Sequence, residues 1–302
     1  MITSKSKLKI MTIVGTRPEL IRLSRVIQKL DDSLEHILVH TGQNYDFELN
    51  KIFFDELNMQ KPNYFLNIDT KTLGSSLGDI LKKIEKVLIK EKPNAVLILG
   101  DTNSSISAIM AKRMHIPIYH MEAGNRSFDL NVPEETNRKI IDHIADVNLV
   151  YTEHSRRHLL SEGIHHRQIY LTGSPMNEVL SYFSKDIEKS EILEKIGTKK
   201  SKYFVVSIHR EENIEYQNVF NKILHMLNEI VDSYNLPIIF SCHPRTKKML
   251  ESNREIDNRI KFYKPFGFFD YLKLQKNALC VISDSGTVSE ESSILNFPAV
   301  TL

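Results

Sequence analysis

The 302-residue chain is poor in several features that would each point to a particular chemistry. Its two cysteines, Cys242 and Cys280, lie inside apolar strand-like runs without C-x-x-C spacing. That argues against a zinc knuckle or a disulfide framework and leaves two thiols packed as small hydrophobes in a reducing compartment. No apolar stretch approaches the roughly 20 residues that cross a bilayer. The N-terminal MITSKSKLK carries charge but no signal-type apolar core, so no membrane partner is expected and the expected location is the cytoplasm. The 40 basic residues stand against 38 acidic ones, for a net charge of +2, and no basic run concentrates them. A nucleic-acid partner is therefore not expected. No G-x-G-x-x-G follows the first strand, so a nicotinamide cofactor is not implied, and no carboxylate–histidine spacing suggests a catalytic metal. No cofactor is expected. Short repeats and low-complexity segments are also missing.

What the chain does have is a series of apolar runs that each break into polar or glycine residues. KIMTIVG breaks at Gly15, EHILVHTGQ at Gln43, AVLILGDTNS at Asp101 and Ser104, and IPIYHMEAGNR at Glu122 and Arg126. IYLTGSP, YFVVSIHREEN, PIIFSCHPR and ALCVISDSG close on Ser174, His209, His243 and Ser285. Amphipathic helical stretches alternate with these runs, which is the pattern of an α/β protein with parallel sheets. One helix runs from Pro18 to Leu30 with Leu20, Leu23, Ile27 and Leu30 on a stripe and Arg22 outside it; Glu19 reads as a first-turn acid. Another carries Leu77, Ile80, Leu81, Ile84, Val87 and Leu88 on its buried face. Between Met176 and Lys202 the strand pattern lapses into charged, partly helical sequence. The expected domains are therefore 1–176 and 177–302. The terminal FPAVTL reads as a strand just begun with no helix after it, which predicts that the second domain continues further. Ligands of open parallel sheets bind outside the carboxyl ends of the strands, so an enzyme with its site between two α/β domains is expected.

GTRPELIR, LGDTNS, HMEAGNR, PEETNR, SIHREEN and SDSGTVSEES, in that order from Gly15 to Ser292, together resemble the non-hydrolysing UDP-N-acetylglucosamine 2-epimerases. The resemblance implies two Rossmann-like domains in a glycosyltransferase-B-like arrangement, with a UDP-sugar in the cleft between them. Three positions depart from the usual pattern: Asn125 in AGNR, Arg22 where a lysine is usual, and Thr287 after Ser285-Gly286. These variants look most like the branch acting on UDP-2-acetamido-2,6-dideoxy-L-talose, on the route to UDP-N-acetyl-L-fucosamine for bacterial surface polysaccharide. A homodimer is expected.

The chemistry implied is inversion at C2 of a 2-acetamido sugar, whose proton is barely acidic. Its removal becomes feasible if UDP leaves C1 in the same elimination, giving a 2-acetamidoglucal. The acid–base candidates are Asp101, Glu122 and Glu134. Each has a plainer reading: Asp101 as a helix cap, Glu122 in a salt bridge with Arg126, and Glu134 with Glu135 as first-turn acids. For the leaving group, Arg17 sits in a strand-to-helix turn that favours anions, Arg22 lies a helical turn on, and His209 is a donor to the diphosphate and the fourth catalytic candidate. Ser285, Gly286 and Thr287 form an amide nest for phosphate or ribose, and Glu291 is placed to accept from ribose hydroxyls. His243 and the aromatic run KPFGFFDYL are candidates for the uridine pocket, although core packing explains that run equally well. Rival readings are a UDP-sugar glycosyltransferase of the same fold, a hydrolysing epimerase, and a nucleotide-sugar-binding protein without turnover.

Overall fold

A computed structural model describes residues 7–43, 54–208, 217–242 and 256–302. The chain divides into two compact units, Met1–Val179 and Leu180–Leu302, and the division falls inside the helix Met176–Tyr182.

Among the described residues the first unit carries seven strands: β1 (Lys9–Val14), β2 (Glu35–His40), β3 (Tyr64–Phe65), β4 (Ala95–Leu99), β5 (Ile118–Met121), β6 (Val147–Val150) and β7 (Ile169–Leu171). They form one sheet in the order β3-β2-β1-β4-β5-β6-β7, and every pairing is parallel. Between them run the helices α1 (Arg17–Ser33), α2 (Leu73–Glu91), α3 (Ser107–Arg113), α4 (Pro133–Ile144) and α5 (Glu153–Ser161). Successive strand residues face opposite ways, and the sequence uses both faces. Met11, Ile13, Val96 and Ile98 pack with Ile84, Leu88, Ala108 and Ile141 on one side. Val14, Leu97 and Leu99 pack with Leu20, Leu23 and Ile27 on the other. A sheet covered on both faces explains why the strand segments read as continuous apolar runs.

The helices α6 (Met176–Tyr182), α7 (Ser184–Lys189) and α8 (Ile192–Lys195) occupy the stretch where the strand pattern lapses. The second unit then builds β8 (Phe204–Ser207), α9 (Gln217–Tyr234), β9 (Ile238–Ser241), β10 (Ile260–Tyr263), α10 (Phe268–Asn277), β11 (Cys280–Ser283), α11 (Thr287–Leu295) and β12 (Ala299–Thr301). Its sheet is again all parallel, in the order β10-β9-β8-β11-β12. Phe204 and Val206 face Leu224, Leu227 and Val231, while Val205 and Val281 face Leu274 and Val288. In each unit the strand order reverses direction beside the first strand, at β1/β4 and at β8/β11, and such points open a crevice at the carboxyl ends. Among the described residues no helix is long and apolar enough to cross a membrane.

Candidate active site

In the first unit the candidates follow from the sheet order. β1, β4 and β5 are neighbours, and Leu99 stands level with Met121. Gly15 to Arg17, Asp101 to Ser104, and Glu122 therefore emerge side by side at the carboxyl edge. The β1 turn is tightly built. A Cβ on Gly15 would lie 1.8 Å from Ser104 Oγ and 2.5 Å from Thr41 Oγ1, so only glycine lets the three strand ends close up. Thr41 and Ser104 share a hydrogen bond of 2.8 Å, and Ser104 donates to Gln43 at 3.1 Å.

Glu19 stands in the first turn of α1, as expected, and is buried there. Its carboxylate accepts from the Gly15 and Thr16 backbone N–H groups (2.9 and 2.7 Å), from the Thr16 hydroxyl (2.7 Å) and from the Thr102 hydroxyl (3.1 Å). It thus ties the β1 turn to the β4 turn. Burial pushes its pKa up to about 7 against the pull of those donors.

Each of two candidate carboxylates is held by a different arginine. Arg22 Nη1 donates to Glu122 Oε2 at 2.6 Å, with both side chains largely buried. The helical stripe put Arg22 outside the buried face of α1. It is in fact 9% exposed, because its long side chain reaches Glu122. Arg138, on α4, grips Asp101 Oδ2 through Nε and Nη2 (2.8 and 2.5 Å) and donates through Nη1 to Glu135 at 2.8 Å. Asn137 donates to the Asp101 carbonyl at 2.9 Å. Asp101 therefore stands in an ion pair.

The proposed pairing of Glu122 with Arg126 is not the one that forms. Arg126 makes a two-pronged contact with Glu162 (2.7 and 2.5 Å) and donates to Asp142 at 2.7 Å. Asp142 also accepts from the Gly124 N–H and lies 2.9 Å from His120 Nδ1, while His120 Nε2 donates to the Gly100 carbonyl at 2.9 Å. Burial works to neutralise His120 and Asp142, but their mutual attraction outweighs it. His120 is shifted up, and Asp142 is shifted down with help from Arg126. Through the Gly124 N–H, this cluster ties the Glu122 turn to α4. Glu122 itself has φ +66°, a left-handed backbone that side chains rarely adopt.

The two acids of PEETNR separate. Glu134 is exposed in the first turn of α4, whereas Glu135 is buried and accepts from the Ser127 N–H and hydroxyl, both at 3.0 Å. Burial would raise the Glu135 pKa, but Ser127 and Arg138 bring it down to about 2. In the second unit, Gly286 caps α11, and a Cβ there would meet nothing within 4 Å. Ser285 Oγ and Thr287 Oγ1 are 3.0 Å apart, and the buried Glu291 accepts from Gln275 Nε2 at 3.0 Å. The aromatic run is largely taken up by packing. Phe268 meets Phe183 edge-on and Phe269 meets it at a tilt, and Tyr263 lies against Phe266. His209 and His243 lie outside the described residues. Arg17 is partly buried at the start of α1.

A family model described as UDP-N-acetylglucosamine 2-epimerase matches residues 28–302. The chain belongs to the UDP-N-acetylglucosamine 2-epimerase family. The solved UDP-N-acetylglucosamine 2-epimerase of Rickettsia bellii is 52% identical, with a TM-score of 0.90 over 97% of this chain and 78% of that one. The Methanocaldococcus jannaschii UDP-GlcNAc 2-epimerase, solved in complex with UDP-GlcNAc and UDP, is 40% identical with a TM-score of 0.90, covering 98% of this chain and 84% of that one. A relative from Pseudomonas aeruginosa that acts as a UDP-2,3-diacetamido-2,3-dideoxy-D-glucuronate 2-epimerase is 34% identical over 98% of this chain and 83% of its own length. This chain is thus an isomerase of the epimerase family, built on two parallel-sheet α/β units.

Within that epimerase frame, the residues the sequence reading passed over are Arg138, His120 and Asp142, while Glu135 is read there only as a first-turn acid. Arg138 was within reach, since an arginine three residues after a buried acid on a helix is placed to pair with it. Nothing in the sequence pairs His120 with Asp142.

Proposed function

We propose that the chain interconverts the C2 epimers of a UDP-2-acetamido-2-deoxy sugar by elimination and re-addition. The observation that carries this reading is a pair of carboxylates, Asp101 and Glu122, at adjacent strand ends and each oriented by its own arginine. A carboxylate takes the C2 proton as the C1–O bond breaks, and UDP departs with the electron pair. A proton is then delivered to the opposite face of C2 as the UDP oxygen rejoins C1. No electrons are gained or lost overall. Asp101, Glu122 and the exposed Glu134 are the groups assigned to proton transfer, worth roughly 10²–10⁴-fold each. His209 and Arg17 assist the leaving diphosphate. Ser285, Gly286, Thr287, Glu291 and His243 hold the nucleotide. Arg22 is assigned to the Glu122 carboxylate rather than to the diphosphate alone.

The similar epimerase solved in complex with UDP-GlcNAc and UDP supports UDP-GlcNAc as one member of the pair, with UDP-ManNAc as its C2 epimer. Asn125, Arg22 and Thr287 favour the 6-deoxy L-talo and L-fuco pair as the finer assignment, with a role in surface polysaccharide synthesis. The enzyme would act as a cytoplasmic homodimer. Incubation with UDP-GlcNAc, and separately with the 6-deoxy L-talo compound, in D₂O followed by proton NMR tests the reading. Deuterium at C2 of an intact, inverted UDP-sugar is expected. Inversion without solvent deuterium would rule out the elimination route, and free UDP with free sugar would indicate the hydrolysing reaction instead.

A further inference from the structure

Two turns far apart in sequence are joined by side chains that end on Glu122. Asn125 Nδ2 donates to Glu122 Oε1 at 3.3 Å, and Asn125 Oδ1 accepts from Ser155 Oγ at 3.0 Å. Ser155 Oγ lies 3.0 Å from Thr152 Oγ1, which in turn accepts from the Ser155 N–H at 3.1 Å. The direction of this chain is set at one end. An ionised carboxylate can only accept, so Asn125 turns its amide nitrogen to Glu122 and its carbonyl to Ser155. The Ser155 hydroxyl must then donate to Asn125, and it takes its own incoming hydrogen bond from Thr152. Every proton along the chain points toward Glu122.

The backbone holds these groups in place. Gly124 has φ +77°, and a Cβ there would come within 2.4 Å of the Ser155 carbonyl oxygen. The Gly124 N–H donates to Asp142, and its carbonyl accepts from His158 Nδ1 at 3.0 Å. The two turns are closely packed and cannot drift apart without breaking partly buried hydrogen bonds. One Glu122 oxygen therefore meets Arg22 and the other meets Asn125, from different elements. That arrangement resists rotation of the carboxylate about its Cγ–Cδ bond.

We propose that Asn125, oriented by Ser155, is a positioning residue for Glu122 in proton transfer. The inference rests on the reading of Glu122 as an acid–base group. It is tested with the full chain and whichever UDP-sugar the wild type epimerises, measuring kcat, KM, UDP affinity by calorimetry and the melting temperature. Asn125→Leu should lower kcat roughly 10- to 100-fold, the loss of one hydrogen bond to a charged group, with KM and UDP affinity nearly unchanged. Ser155→Ala alone should lower kcat about 3- to 10-fold. Added to Asn125→Leu it should lower kcat no further, because Ser155 acts through Asn125. A merely structural role would instead give independent losses that multiply, accompanied by matching drops in melting temperature, and that result overturns the proposal. Should Asn125→Leu fail to fold, Asn125→Asp keeps the shape and sets a like charge beside Glu122. It should lower kcat at least as far, and wild-type kcat in Asn125→Asp also overturns the proposal. Glu122→Gln separates the two levels of the argument. An inactive Glu122→Gln with fully active Asn125 variants removes only the positioning role, whereas a fully active Glu122→Gln removes the acid–base reading itself.

Discussion

At the scale of single residues, the buried acids make opposite predictions. Glu19 holds its proton more tightly in the fold, up to about 7 against 4.5 for the free carboxyl, because burial disfavours its charge. Its contribution to stability is therefore full below about 4.5 and lost as the pH rises through about 7, by up to about 3 kcal/mol. Urea unfolding at steps between these values should show the decline in the wild type, and Glu19→Gln should flatten it. Glu135 runs the other way, since Ser127 and Arg138 carry it down to about 2 despite its burial. Its contribution is present above the free-carboxyl value and disappears as the pH falls toward 2. Glu135→Gln should be less stable than the wild type at pH 7, and the gap should narrow in acid. Asp142 faces both His120 and Arg126 inside the fold. Asp142→Asn leaves Arg126 and His120 without the carboxylate they share, and the expected loss is about 3–5 kcal/mol in denaturant unfolding.

At the scale of elements, the two tight turns differ in what can relax. On Gly15 an added methyl meets the Ser104 and Thr41 side chains, whereas on Gly124 it meets the backbone carbonyl of Ser155 at φ +77°. Gly15→Ala should destabilise by about 1–3 kcal/mol. A second change, Ser104→Gly, should recover part of that loss. Gly124→Ala should cost more, with backbone strain added to the overlap, and no side-chain change in α5 should recover it. Thermal melts of the three variants check the contrast. The longer strands were legible because buried parallel strands write continuous apolar runs, whereas β3, β6 and β10 are too short or too interrupted by polar residues to stand out as runs. The helices α1 and α2 were legible because they write regular stripes. Arg22 was misread for the same reason. A stripe records which side of a helix is apolar, not where a long charged side chain ends, and its partner Glu122 lies 100 residues away. Sequence proximity pairs Arg126 with Glu122, four residues before it, whereas Asp142 and Glu162 come to it only once α4 and α5 are packed. The aromatic run admitted both core and ligand readings, since packing and base recognition use the same side chains.

At the scale of the whole molecule, nucleotide binding and sugar chemistry should separate. UDP at about 100 times its Kd should stabilise the wild type by about 2.7 kcal/mol. Asp101→Asn should keep nearly all of that gain in a thermal shift while losing most turnover, and Arg17→Ala should lose much of the gain. If Asp101→Asn abolished the UDP-induced shift, its assignment to the sugar end would be wrong. The parallel sheet also bears on how the chain comes into being. β1 is flanked by β2 and β4, and Ile10 aligns with Ala95. On a ribosome adding roughly 5–20 residues per second, β1 waits on the order of ten seconds for its second neighbour. During that interval one side of a strongly apolar strand has no partner from its own chain, and aggregation competes with folding. Slowing translation between α1 and β4 should therefore lower soluble yield, whereas a pause placed after β4 has emerged from the ribosome should not.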